Sequence, residues 1–142
     1  MAKYYRYMSN EEFQKILAGV VLEYTNDAWV NANTTSDGFC FLAEETKFHG
    51  EDTQGTFDPL TCYWFLSGIV SKDVLVEFEV DASLLTESQG LYADPFGSWG
   101  QRIVITEYFC RSYSRSNFKP VRYGTGFDNY GDPVWHEIKE DD

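Results

Sequence analysis

No stretch of the chain approaches the roughly 18 to 20 consecutive apolar residues needed to span a bilayer, and the first residues lack the apolar core of a secretory leader. A soluble, cytoplasmic protein is expected. Histidine is scarce: His49 and His136 are too few and too scattered for a convincing zinc site. Three cysteines, Cys40, Cys62 and Cys110, are odd in number and widely spaced, each among apolar or aromatic residues. That setting fits reduced, buried thiols rather than a disulfide frame, and a Cys-His nucleophilic pair would need a proximity that spacing does not supply. Basic residues are also in short supply, 11 against 23 acids, for a formal charge of -12. Such a balance argues against general nucleic-acid binding, whose phosphates want a basic face. A solvated acidic surface is the simple account of it, and mimicry of nucleic acid the sharper one. Neither an internal repeat nor a dividing linker is present, so the 142 residues read as one domain, long enough for a real core.

What is present is 43% hydrophobic and 18% aromatic, which excludes a disordered chain. Lys3 to Met8 reads as a strand, and Ser9 to Glu12 as a capping box opening a helix from Asn10 to Ala18, with Gly19 as its stop. Val20 to Tyr24 follows as a strand, 25–37 as a polar loop, and Gly38 to Leu42 as a short buried strand. Residues 43–57 read as an exposed excursion. Asp58-Pro59 signals a second helix, Pro59 to Ser67. Val74 to Val80 alternates, with Val74, Val76, Phe78 and Val80 inward and Leu75, Glu77 and Glu79 outward; Glu77 and Glu79 then lie on a solvated edge rather than forming a catalytic pair. Residues 81–100 read as a long loop with one helical turn near Ser83 to Glu87, Phe118 to Tyr123 as a last edge strand, and 124–142 as an acidic, partly docked tail. The expected fold is α+β: a split or strongly bent, mainly antiparallel sheet with two helices.

The segment 101–123 stands apart. It holds Arg102, Arg111, Arg115, Lys119 and Arg122 against a single acid, Glu107. Strand alternation over Arg102 to Phe109 puts Glu107 in line with Ile103, Ile105 and Phe109. A carboxylate in that row either is buried with a partner, such as an arginine, or lines a cleft. The cluster Arg111, Arg115, Lys119 and Arg122 either receives an anion or pairs with surface acids.

Arg6 on the first strand, Thr34-Thr35-Ser36 before a central strand and Glu107 on a late strand come in an order that resembles the ADP-ribosyltransferase fold, in its arginine-serine-glutamate class. The runs 5–13 and 74–80 are similar to that family's small domains, and the resemblance covers about 3–123. It implies NAD as cofactor and transfer of ADP-ribose to a macromolecular target. Arg6 would meet the pyrophosphate or ribose, Thr34 and Ser36 would support the pocket, and Glu107 would steady the oxocarbenium-like transition state. Two positions before Glu107 stands Ile105, where the family has Glu or Gln. Tyr5, Tyr7 and Tyr108 either stack on the nicotinamide or adenine or fill the core. The alternative reading is a non-catalytic acidic protein, of the kind carried by phage or mobile elements, that binds and inhibits a host protein.

Overall fold

The computed structural model describes residues 1–24, 34–35, 38–50, 54–60, 72–93 and 102–139. Twelve strands and one α-helix are assigned among them: β1 Ala2–Met8, α1 Asn10–Leu17, β2 Leu22–Glu23, β3 Thr34–Thr35, β4 Gly38–Ala43, β5 Thr46–His49, β6 Gln54–Phe57, β7 Val74–Val80, β8 Thr86–Ala93, β9 Arg102–Cys110, β10 Ser112–Tyr113, β11 Phe118–Thr125 and β12 Val134–Glu137. Every strand pairing among the described residues is antiparallel. The main sheet runs β12-β11-β7-β1-β4-β9-β5-β6, with β3 on β4 and β8 on β9, and curls into a half-barrel; β2 and β10 form a separate ribbon.

Two irregularities bend this sheet. β1 pairs with β7 along its full length but with β4 only at Tyr4 and Tyr5, so β1 and β4 part beyond Tyr5. Farther on, Phe41 pairs with Tyr108 and Phe48 with Ile105, so the chain takes seven steps while β9 takes three. Glu44 and Glu45 sit in that slip as a bend, and an extra loop of chain on one side is what turns a ladder.

Both faces of the sheet are covered. Against α1 lie Tyr4, Met8, Phe39, Phe41, Val76, Phe78, Val80 and Cys110, with Phe13, Ile16, Tyr113 and Phe118 packed onto them. Phe41, Phe78, Tyr113 and Phe118 bring every pair of their rings within 5.0 to 6.2 Å, mostly edge to face, which suits the ring quadrupoles. On the opposite face Tyr5, Tyr7, Leu42, Leu75, Ile103 and Ile105 form a second cluster with Phe48, Phe57, Leu60, Phe127 and Trp135.

The first strand, the first helix and the strands at β4, β9 and β11 lie where the sequence places them. Ser9 caps α1, its Oγ accepting from the Glu12 amide at 3.1 Å, and Gly19 ends it at φ 82°, while Val20 N donates to Lys15 O. The Glu12 carboxylate does not close the capping box but turns to Arg6, whose buried charge is the stronger demand. Of the second expected helix, Pro59 and Leu60 form a turn and 61–67 lie outside the described residues. The expected excursion at 43–57 contains β5 and β6, the expected loop at 81–100 contains a 3-10 turn at Ala82–Leu84 and then β8, and the tail contains β12. β11 is not an edge: β7 and β12 flank it, with an irregularity between Pro120 and Arg122 that accommodates the proline's missing donor. β7 is buried on both faces, so Leu75 and Glu77 are not outward. The second apolar layer covers them. No helix among the described residues is long and apolar enough to cross a membrane.

Candidate functional site

Arg6 is 1% exposed. Alternation along β1 sends it to the α1 face with Tyr4 and Met8, where Nε donates to Glu12 Oε2 at 2.7 Å and Nη2 to Oε1 at 3.0 Å. Such a fork is the strong form of a charged pair. Tyr113 Oη donates to the same Glu12 Oε2. Arg6 Nη1 donates to the Cys40 carbonyl at 3.0 Å, beyond the point where β1 and β4 part. The guanidinium also lies 5.1 Å from the Phe39 ring centre and 5.7 Å from that of Phe41. Burial pulls the Arg6 pKa down, but the Glu12 charge and hydrogen bond reverse this and the net shift is upward. Tyr113 is pushed well up, by burial first and the Glu12 charge second.

Glu107, also 1% exposed, occupies the other face. It shares that face of β9 with Ile103 and Ile105, and its Oε2 accepts the Cys40 thiol. Cys40, between Phe39 and Phe41, points away from their cluster by strand alternation. Arg6 and Glu107 are thus set on opposite faces of one sheet, and Cys40 touches both: backbone to the arginine, side chain to the glutamate.

Tyr5 lies on the Glu107 face and donates from Oη to Glu77 Oε1 at 2.8 Å. Its pKa is raised by burial and by that carboxylate. Tyr108 lies on the α1 face, edge-on to Tyr4 at 5.4 Å, its pKa raised by burial and by Glu87. Tyr7 Oη donates to Pro59 O at 2.8 Å. Of the three tyrosines named as stacking candidates, Tyr5 and Tyr7 thus lie on one face and Tyr108 on the other. Thr34 pairs with Phe39 through β3, and Ser36 lies outside the described residues.

Sequence reasoning missed a mixed-charge cluster on the second face. Glu77 Oε1 accepts from Tyr5 and also from Arg122 Nε at 3.0 Å, and Arg122 stacks over Trp135 with its guanidinium carbon 3.9 Å from the ring centre. Its signal was a carboxylate in line with Leu75 in an apolar strand. Of the basic segment, Arg122 is thus a structural partner, and Arg115 Nη1 donates to Leu17 O at the end of α1, a favourable place for a cation. Arg111 lies over the Tyr24 ring at 4.9 Å. Among the described residues no group of His, Cys, Asp and Glu is arranged to hold a metal. Cys40 and Cys110 are free thiols; Cys62 lies outside the described residues. Comparison with known proteins finds no matching family, no similar curated protein and no similar solved structure.

Proposed function

We propose that the chain is a non-catalytic acidic interaction protein that acts by binding a protein partner. The observation that carries this reading is the disposal of its two strongest catalytic candidates. Arg6 and Glu107 are each 1% exposed, face opposite sides of the sheet, and are engaged by Glu12 and by Cys40 respectively. A phosphate group arriving at Arg6 would have to displace a carboxylate fork inside an aromatic cluster, and that exchange costs a buried charge its partner. The net charge of -12 favours association with basic surfaces. The test is recovery of a binding partner from a lysate at low salt, followed by its purification and titration against the chain. A stoichiometric complex that weakens with salt supports the reading, and the absence of any reconstituted complex counts against it.

An NAD-dependent transferase remains the second reading, favoured by one feature: the sheet parts between β1 and β4, beside the strand pair that carries Cys40 and Glu107. Calorimetry with NAD tests it, together with a search for labelled products in lysate. Heat of binding that Arg6→Ala abolishes would establish it over the first.

A further inference from the structure

We infer that the free edge of β12 is a docking site for an extended, basic segment of a partner protein, added as a further strand. The inference rests on the interaction reading above and names the surface and the chemistry of its partner. Among the described residues β12 ends the sheet and pairs with β11 alone. Ile138 N donates to Val121 O at 3.0 Å, which fixes the phase of the ladder. In an antiparallel pair the inward-bonded residues alternate with those whose N–H and C=O point away. Val134, His136 and Ile138 are therefore inward-bonded, and Trp135 and Glu137 direct their backbone groups to the open edge. Pro133, next in that outward row, has no donor to offer. The edge thus presents a window of two residues, a short site for strand addition.

The side chains around that window select the partner. Val134 is 60% exposed and Tyr130, on the loop between β11 and β12, is 80% exposed. That loop is held by Asp128, whose Oδ1 accepts from the amides of Tyr130 at 2.8 Å and Asp132 at 3.0 Å, so the backbone that presents Tyr130 is ordered before binding, which lowers the cost of docking. Asp128, Asp132 and Glu137 have no ion-pair partner among the described residues. Arg122 faces Glu137 across the ladder but gives its guanidinium to Glu77 and Trp135. Glu137 is left to a cation from outside. A second copy of this chain would bring together two surfaces of the same sign, each on a molecule of charge -12, which repel. The β8 edge is longer, but its described side chains Thr86, Glu87, Ser88 and Gln89 are polar and carry no apolar anchor. Because alternate residues of an added strand face opposite ways, the fitting segment alternates basic residues toward Trp135 and Glu137 with apolar ones toward Val134 and His136.

The probe is a capped heptapeptide alternating lysine and valine, with a glutamate-valine peptide as control. Expected results are one lysine peptide bound per chain, affinity that falls with salt, and shifted, exchange-protected amides at Trp135 and Glu137. Val134→Lys and Glu137→Lys, both at exposed positions, should keep the circular dichroism spectrum and melting temperature while weakening the peptide by about tenfold or more. Failure of the peptide to bind, equal binding by Glu137→Lys, amide changes confined to another edge, or sedimentation of the chain as a dimer through β12 would each overturn the inference. The purified partner from the capture experiment separates the two levels. If it binds wild type and both variants alike, the interaction reading stands and the β12 edge is excluded; if nothing binds wild type, the interaction reading itself falls.

Discussion

Arg6 and Glu12 form a two-bond ion pair inside the aromatic cluster that joins β1, β4 and α1. Glu12 serves both elements: its amide is capped by Ser9 in the first turn of α1, and its carboxylate neutralises the buried charge of the preceding strand. Removing one partner strands the other without water. Glu12→Gln is therefore expected to cost about 3 to 5 kcal/mol, measured by urea unfolding. Arg6→Met combined with Glu12→Met should cost less than the sum of the two single changes, because no lone charge remains. Additive losses would show that the pair is not coupled in the native state.

Alkali should unfold the protein early. Burial pushes the Cys110 thiol up to about 12 from an ordinary 9.0; the Arg6 charge opposes this and the Glu12 charge adds to it. Below the ordinary value both states hold the proton and the buried thiol's contribution is complete. Above it the unfolded chain releases a proton that the native chain keeps, so stability falls as pH rises from 9 toward 12. Tyr5 and Tyr113, both raised from 10.0, act in the same direction at higher pH. Urea midpoints between about pH 8 and pH 10 should decline in wild type and decline less in Cys110→Ala. An identical decline would remove Cys110 from the account.

Legibility followed the range of the interactions. α1 could be read because its signals are local: Ser9 as cap, Phe13 and Ile16 on one face, Gly19 as stop. β8 could not, because Thr86 to Gln89 are polar and only pairing with β9 makes them a strand. β7 carried a true alternation, but a second apolar layer inverted its meaning for Leu75 and Glu77. Glu107 was recognised as out of place from its apolar row, and burial with a partner was one of its two readings. One partner is the Cys40 thiol, 67 residues away, a separation that no local pattern in the sequence could reveal. For Arg6 the decisive neighbour stood only six residues on, concealed because Glu12 already had a local explanation as a cap residue.

Gly124 controls how β12 meets the sheet. A Cβ there would fall 2.7 Å from Pro133 Cβ and 3.4 Å from Trp135 Cε3. Gly124→Ala should push the β11–β12 turn outward and loosen the Arg122–Trp135 stack, at a cost of about 1 to 3 kcal/mol. Faster amide exchange confined to His136 and Ile138 would report it. Unchanged exchange would mean that the turn absorbs the methyl group.

Arg122 joins three elements by holding Glu77 of β7 and lying on Trp135 of β12. Its side chain is 34% exposed, so solvent screens part of the attraction, and Arg122→Leu should cost about 1 to 2 kcal/mol. Tyr5 still donates to Glu77, which limits the loss. Arg122→Lys should recover only part, since an ammonium neither stacks as a plane nor keeps the Nε donor geometry. Full recovery by lysine would reduce the contact to simple charge.

Glu107 offers a test that separates a structural carboxylate from a catalytic one. It accepts the Cys40 proton from a site nearly closed to water. An ionised carboxylate there opposes formation of a thiolate beside it, so native Cys40 should react slowly with iodoacetamide. Glu107→Gln keeps an oxygen acceptor and removes the charge. Alkylation of Cys40, followed by site-resolved mass spectrometry, should accelerate roughly threefold to tenfold near neutral pH. Cys110, with its thiol at about 12, serves as the unreactive control. In the same variant, binding to a captured protein partner should be unchanged, and neither form should give heat with NAD. If Glu107→Gln leaves the Cys40 rate unaltered, the carboxyl group is already neutral in the native protein. Its proton then belongs to the buried face, and a role as a charged stabiliser of any transition state is lost with it.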